Sequence, residues 1–193
     1  MPTRSHVERC RSKYPEGGFS LLETVVATGL LAGALAALGQ MFAISVANNI
    51  TARSGSYATV LAGQKMEQLR ALTWGFDPLG TPIADLTTDT AASLETPTGG
   101  TGLSPSPGGT LTSNMAGYVD YIDQSGRMLG GGETMPAAAV YIRRWSIEPL
   151  PANPGTLVLQ VMVTKRADRG SIGAETRLPD EARLVTLRTR KAP

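Results

Sequence analysis

The chain has 193 residues, with 18 basic and 16 acidic side chains, one His and one Cys, a length that suits one domain beyond any membrane segment. Residues 1–18 hold four of the cations, two of the anions and both His6 and Cys10, so a chain beginning at Phe19 keeps 14 basic and 14 acidic side chains. Such a chain has no excess positive charge for nucleic acid, and the loss of His and Cys excludes a thiol nucleophile, a disulfide, a haem, a zinc site and a histidine base.

The first segment carries Arg4, Arg9, Arg11 and Lys13 against Glu8 and Glu16. An apolar run of 28 residues follows, Phe19 to Val46, in which Glu23 is the only charged side chain. A bilayer core takes about 20 apolar residues. The positive-inside tendency keeps the basic end in the cytoplasm and sends the C-terminal bulk across. A secretory signal places a small-residue cleavage site after an apolar region of about 7–15 residues. Here Gly17 and Gly18 come before the apolar run instead. Cleavage between Gly18 and Phe19 leaves the apolar helix on the mature chain, with Glu23 five positions in. A carboxylate within a membrane segment is disfavoured by about 2.5–3.5 kcal/mol at its centre and by less near an end, which marks Glu23 as a functional candidate. Gly29 and Gly33 form a small-xxx-small pattern that lets helices approach, although Gly is also common in membrane helices generally.

The helical pattern continues to about Leu72. Val46, Ile50, Tyr57, Leu61 and Leu72 fall on one face at 3.6-residue spacing, interrupted by Ser54, Lys65 and Gln68. Glu67 and Arg70 lie within reach of each other. Thr73-Trp74-Gly75 and Asp77-Pro78-Leu79-Gly80 end the helix. Residues 75–117 read as loop, and 17 of the 19 residues from Thr96 to Asn114 are Thr, Ser, Pro, Gly or Asn. Such composition predicts a mobile surface connection rather than core.

Strands begin at Tyr118. Tyr118 to Ile122 and Arg127 to Leu129 flank Asp123-Gln124-Ser125-Gly126, which predicts a hairpin. Asp120 and Asp123 raise calcium, but two carboxylates do not fill a shell of about 6–8 oxygens, and the turn accounts for them. Ala139 to Ile147 alternates as a strand. Its Arg143-Arg144-Trp145 cluster suits an anion or a stacked base, or else a Trp145 packed on the helix with both arginines answering acidic neighbours. Residues 75–135 hold seven carboxylates and one cation, residues 143–193 ten cations and five carboxylates. That complementarity favours internal use over an external ligand, and nucleic acid is not expected as a partner. Leu157, Leu159, Val161 and Val163 share one face of a strand spanning Thr156 to Thr164. Lys165 to Ala182 is a polar loop, and Arg183 to Thr189 closes the sheet. The order of elements predicts an α+β fold. It divides into a leader (1–18), an apolar helix (19–46), its amphipathic continuation (47–74), a loop region (75–117) and an antiparallel sheet (118–193) laid on the C-terminal half of the helix.

Gly18, Phe19, Glu23 and the apolar stretch from Thr24 to Val46 resemble the class III signal of type IV prepilins. The segment Gln64 to Leu72 resembles the first-helix end of minor pilins and pseudopilins, and Tyr118 to Ile147 resembles minor pilins of the PilV-like kind. The resemblance is firmest from Gly17 to about Leu72, and the chain departs from major pilins in lacking a C-terminal disulfide. It implies a type IV pilin-like fold, cleavage between Gly18 and Phe19 by a prepilin peptidase, and N-methylation of the Phe19 amine. Glu23 is then the counter-charge of that amine on a neighbouring subunit, fixing register in a fibre; an internal pair one helical turn away is the local alternative. A buried charge pair of this kind is better attested as a register device than as a source of stability. The function implied is that of a minor structural subunit of a type IV pilus, without cofactor, metal or catalytic residues. Its partners would be the peptidase, other pilin or pseudopilin subunits and inner-membrane lipid. It would sit in a bacterial inner membrane, with its C-terminus in the periplasm, before joining the fibre. The alternatives are a minor pseudopilin of a type II secretion system, a single-pass signal anchor, or a membrane-anchored periplasmic enzyme using Asp120, Asp123 and Glu148.

Overall fold

The structure, a computed structural model, describes residues 18–86, 101–166 and 181–190. The leader with His6 and Cys10, part of the expected 75–117 loop and most of the 165–182 loop lie outside the described residues. The chain separates into two units, Met1–Val46 and Ala47–Pro193. One helix, α1 (Leu21–Ala71), contributes to both.

In the first unit, α1 starts where its sequence provides a cap. The Glu23 backbone N–H donates to Ser20 Oγ at 3.1 Å, satisfying one of the donors that every helix start leaves open. The hydroxyls of Thr24 and Thr28 donate back to the carbonyls of Ser20 and Thr24 at 3.2 and 2.6 Å. They therefore meet their polar needs inside the helix. Every described side chain from residue 18 to 46 is exposed.

The second unit is the last part of α1 packed against an antiparallel sheet. Its strands are β1 (Trp74–Phe76), β2 (Pro82–Ala84), β3 (Val119–Ile122), β4 (Met128–Gly130), β5 (Tyr141–Leu150), β6 (Asn153–Lys165) and β7 (Ala182–Thr189). β1 and β2 pair alone, and the other five form one sheet in the order β4-β3-β5-β6-β7. Period-two alternation decides the faces. Leu157, Leu159, Val161 and Val163 of β6 join Tyr141, Trp145 and Ile147 of β5 and Ile122 of β3 in one core with Ala58, Leu61, Ala62, Met66 and Leu69 of α1. The opposite face gathers Val119, Tyr121, Ala139 and Ile142 in a smaller cluster.

The helix face differs from the expected stripe. The buried line is Ser54, Ala58, Leu61, Ala62, Lys65, Met66 and Leu69, while Ile50 is 59 % exposed. Small residues at 58 and 62 allow close approach of the sheet, and of the polar interruptions Ser54 and Lys65 are buried with partners, while Gln68 is only half-buried. Ser54 Oγ donates to the Ile50 and Thr51 carbonyls. Lys65 Nζ lies 2.7 Å from Asp120 Oδ2 and 4.0 Å from the centre of the Trp145 ring. The same Asp120 oxygen accepts from Arg143 Nε and Nη2 at 3.1 and 2.7 Å, and Arg143 Nη1 donates to the Leu61 carbonyl at 3.0 Å. Asp120 and Arg143 face each other across the β3–β5 ladder, so helix and sheet are joined through one buried carboxylate.

The other end of α1 is closed from the last strand. The Arg188 guanidinium donates to the carbonyls of Leu69, Arg70 and Leu72, acceptors that a helix end leaves without partners. Burial and the nearby Arg70 charge lower its pKa from the ordinary arginine value, yet arginine stays a cation throughout the accessible range. Arg190 stacks on Trp74 at 3.7 Å and donates to the Gly75 and Ile83 carbonyls, tying the β1–β2 hairpin to the residue that follows the last strand.

The expected loop at 75–117 is more structured than its composition suggests. It contains β1 and β2, and Leu103 is fully buried in the core. Ser106 exchanges hydrogen bonds with Ile147, its N–H giving to the carbonyl at 2.8 Å and its Oγ receiving from the N–H at 3.1 Å. Trp145 N–H donates to the Tyr118 carbonyl. β3 pairs with β5 only as far as Arg144, so this segment takes up part of the β5 edge that β3 leaves open. Gly102 adopts φ +50°, and an added Cβ would collide with the backbone of Asp85 and Leu86, which leaves no room for another residue there.

Replacing Asp120 with Ala leaves Lys65 and Arg143 buried without their counter-charge. A loss of about 3–5 kcal/mol is expected, against about 0–1 kcal/mol for Glu67→Ala, whose pair with Arg70 is exposed. Urea denaturation of the full chain in mild detergent, followed by circular dichroism, measures both. Equal effects would remove the buried pair from its central place.

Candidate functional site

The residues singled out by sequence, Gly18, Phe19 and Glu23, lie together at the start of α1. Gly18 and Phe19 precede the helix, and Phe19 is 85 % exposed. Glu23 stands in the first turn, at the third position after the Ser20 cap. Ser20-Leu21-Leu22-Glu23 is therefore the sequence of a capping box, and a carboxylate at a helix start is favoured by the helix dipole. The structure shows the Ser20 half of that box, and the local place of the Glu23 carboxylate is its position in the first helical turn, which the Ser-x-x-Glu spacing made visible in the sequence. It explains why an acid is tolerated there without excluding a second use for its charge.

Beyond Glu23 the surface is apolar. Leu30, Leu31, Leu35, Met41, Phe42 and Ile44 are each more than half exposed. Among the described residues α1 is the one helix long and apolar enough to cross a membrane, and none of its most apolar stretch is buried. Residues 21–46 rise about 39 Å, more than the roughly 30 Å of a hydrocarbon core. A Cβ built at Gly29, Gly33 or Gly39 meets nothing within 4 Å. Their small size serves no contact among the described residues.

The carboxylates considered for chemistry do not converge. Asp120 is held between Lys65 and Arg143. Glu148 is exposed and stands five residues along β5 from Arg143, roughly 17 Å at strand rise. Asp123 closes the β3–β4 turn, its Oδ1 accepting from Ser125 N–H, Ser125 Oγ and Arg127 N–H at 2.8, 2.7 and 2.9 Å. Among the described residues no group of three His, Cys, Asp or Glu side chains is placed to hold a metal ion. The Arg143-Arg144-Trp145 cluster is used internally. Trp145 is fully buried beneath Lys65, and Arg144 donates to Asn114 Oδ1 at 3.0 and 2.6 Å.

No family model, curated protein or solved structure matches the chain. The geometry itself establishes an α+β unit and a long apolar N-terminal helix compatible with a membrane span.

Hydrogen bonds from Ser125 and then Arg127 hold the Asp123 pKa below its ordinary value of 3.8. A depressed carboxylate contributes stability that is present above the unfolded pKa and lost as pH falls through the folded one. The wild-type turn is thus expected to loosen only at pH below 3.8, and Asp123→Ala to lack that acid step. Amide exchange at Ser125 and Arg127 against pH reports it; the same acid step in the variant would assign it elsewhere.

Proposed function

We propose that the chain is a minor structural subunit of a type IV pilus, cut between Gly18 and Phe19 by a prepilin peptidase. Residues 19–46 hold it first in a bacterial inner membrane, with the C-terminal unit in the periplasm, and then in the fibre. One observation carries this reading: a glycine-phenylalanine junction immediately precedes a capped helix whose exposed apolar surface contains a single carboxylate, Glu23. A secretory signal needs neither the carboxylate nor the position of the glycines, and an ordinary anchor does not need the junction.

The chemistry follows from the cut. It creates a cationic amine at Phe19, which becomes N-methylated, in surroundings that solvate charge poorly. Glu23 neutralises that charge, and when the amine belongs to the next subunit the pair sets axial register. The free small positions at Gly29 and Gly33 permit close packing of neighbouring helices. A minor pseudopilin of a type II secretion system shares all of this chemistry and is the second reading. A membrane-anchored enzyme is disfavoured because Asp120 is committed to the core, apart from Asp123 and Glu148. No catalytic residue, cofactor or metal belongs to the proposal, and its partners are the peptidase, other pilin or pseudopilin subunits and membrane lipid.

Intact mass with N-terminal fragmentation, on protein from native membranes or sheared fibres, is the test. A chain beginning at methylated Phe19 is expected; one retaining Met1, or cut after Val46, overturns the proposal. Glu23→Ala is expected to be cleaved normally but to lose methylation or fibre entry. Unimpaired entry would reduce Glu23 to a carboxylate favoured by the helix start.

A further inference from the structure

Within the second unit, a groove of about 700 Å³ opens between α1 and the end of the sheet formed by the β3–β4 turn, the start of β5 and the end of β6. Its walls are apolar and aromatic, chiefly Ile50, Tyr57, Val140 and Tyr141, and its two charged side chains are both cations, Arg53 and Lys165. No hydrogen bond or ion pair among the described residues engages either cation. The aromatic wall is fixed in place. Tyr57 and Tyr141 meet with ring centres 5.3 Å apart. The Tyr57 hydroxyl also lies against Gly126, which adopts φ +89° and where any Cβ would strike that hydroxyl.

Arg53 has a second distinction: it is the first charged side chain after Glu23. It stands seven positions after Val46, so however the chain is bent Arg53 lies within about 25 Å of the end of the apolar run. Tyrosines and cations beside the end of a membrane segment are suited to the headgroup layer, the first by amphipathic rings and the second by attraction to anionic lipid. The volume falls within the usual range for small-ligand sites, about 300–1,000 Å³.

We infer that this groove binds the phosphate headgroup of an anionic phospholipid, with Arg53 and Lys165 as its charge partners and the Tyr57–Tyr141 wall against the glycerol and upper acyl carbons. The inference rests on residues 19–46 being a membrane segment. A lipid is favoured over an acidic protein segment because the groove is tethered near the bilayer and combines its cations with an apolar wall. The lipid would occupy the helix–sheet seam and hold the second unit close to the surface until the subunit leaves the membrane.

The test uses full-length protein in detergent, offered equal amounts of phosphatidylglycerol and phosphatidylcholine and examined by native mass spectrometry. Each cation near anionic lipid is worth about fivefold in retention. The double variant Arg53→Gln/Lys165→Gln is therefore expected to lose phosphatidylglycerol about 25-fold, with its thermal melt unchanged. Arg53→Lys/Lys165→Arg is expected to keep it. Equal retention of the two lipids, an unaffected glutamine variant, or displacement by inorganic phosphate would each overturn the inference. So would a glutamine variant that keeps the lipid but fails to associate with other fibre subunits, which would assign the groove to a protein contact. Carbonate-resistant pelleting with phosphatidylcholine vesicles separates the two levels. Without insertion, both the membrane reading and the lipid site fall; with insertion but no lipid preference, only the lipid site does.

Discussion

The helix–sheet interface turns on one carboxylate. Asp120 draws Lys65 from the helix and Arg143 from the sheet onto a single oxygen, and Arg143 reaches onward to the Leu61 carbonyl. Such a cluster is a poor source of net stability, since removing charges from water opposes what their attraction returns. Its effect is on specificity. A purely apolar interface tolerates sliding of a helix along a sheet, whereas a shift of register here would part Lys65 and Arg143 from the one Asp120 oxygen they share. Trp145 beneath Lys65 Nζ adds a face that favours a cation at that point.

The remaining devices act at the margins of the same interface. Arg188 closes the far end of the helix, Tyr57 braces the β3–β4 turn, and the segment around Leu103 and Ser106 covers the open stretch of β5. Each satisfies backbone groups or fills a gap that packing alone would leave. With a single cysteine in the chain and so no internal disulfide, these non-covalent ties carry the work that cross-links perform in disulfide-bonded domains.

Much of this was legible in the sequence because it is written locally. The long helix, the hairpin around Asp123, and the alternation of β5, β6 and β7 depend on periods and turn residues within ten positions of one another. Trp145 packing on the helix was one of the two readings that its cluster allowed, and the opposed charges of the middle and C-terminal parts pointed to the internal pairing that Asp120 and Arg143 make. The missed features have distant partners. Lys65 looked like a flaw in an apolar stripe because its counter-charge lies 55 residues away. Residues 101–117 are turns and loop as expected, but they looked like surface alone because composition reports what a segment buries by itself, and Leu103 and Ser106 act by joining a core and an edge built elsewhere. At the candidate site, the glycine-phenylalanine junction and Glu23 were plain in the sequence. The Ser20 cap and the first-turn place of Glu23 needed only the spacing between those two residues.

The Arg188 cap has a temporal consequence. Its guanidinium answers the Leu69 carbonyl across 119 residues of chain. During synthesis at about 5–20 residues per second, the end of α1 must therefore wait roughly 6–24 s for its partner to be made. The helix is born early and finished late. Until β7 arrives, any chaperone or neighbouring chain that supplies donors to those carbonyls meets an open terminus. Completion of the last strand is the event that withdraws it.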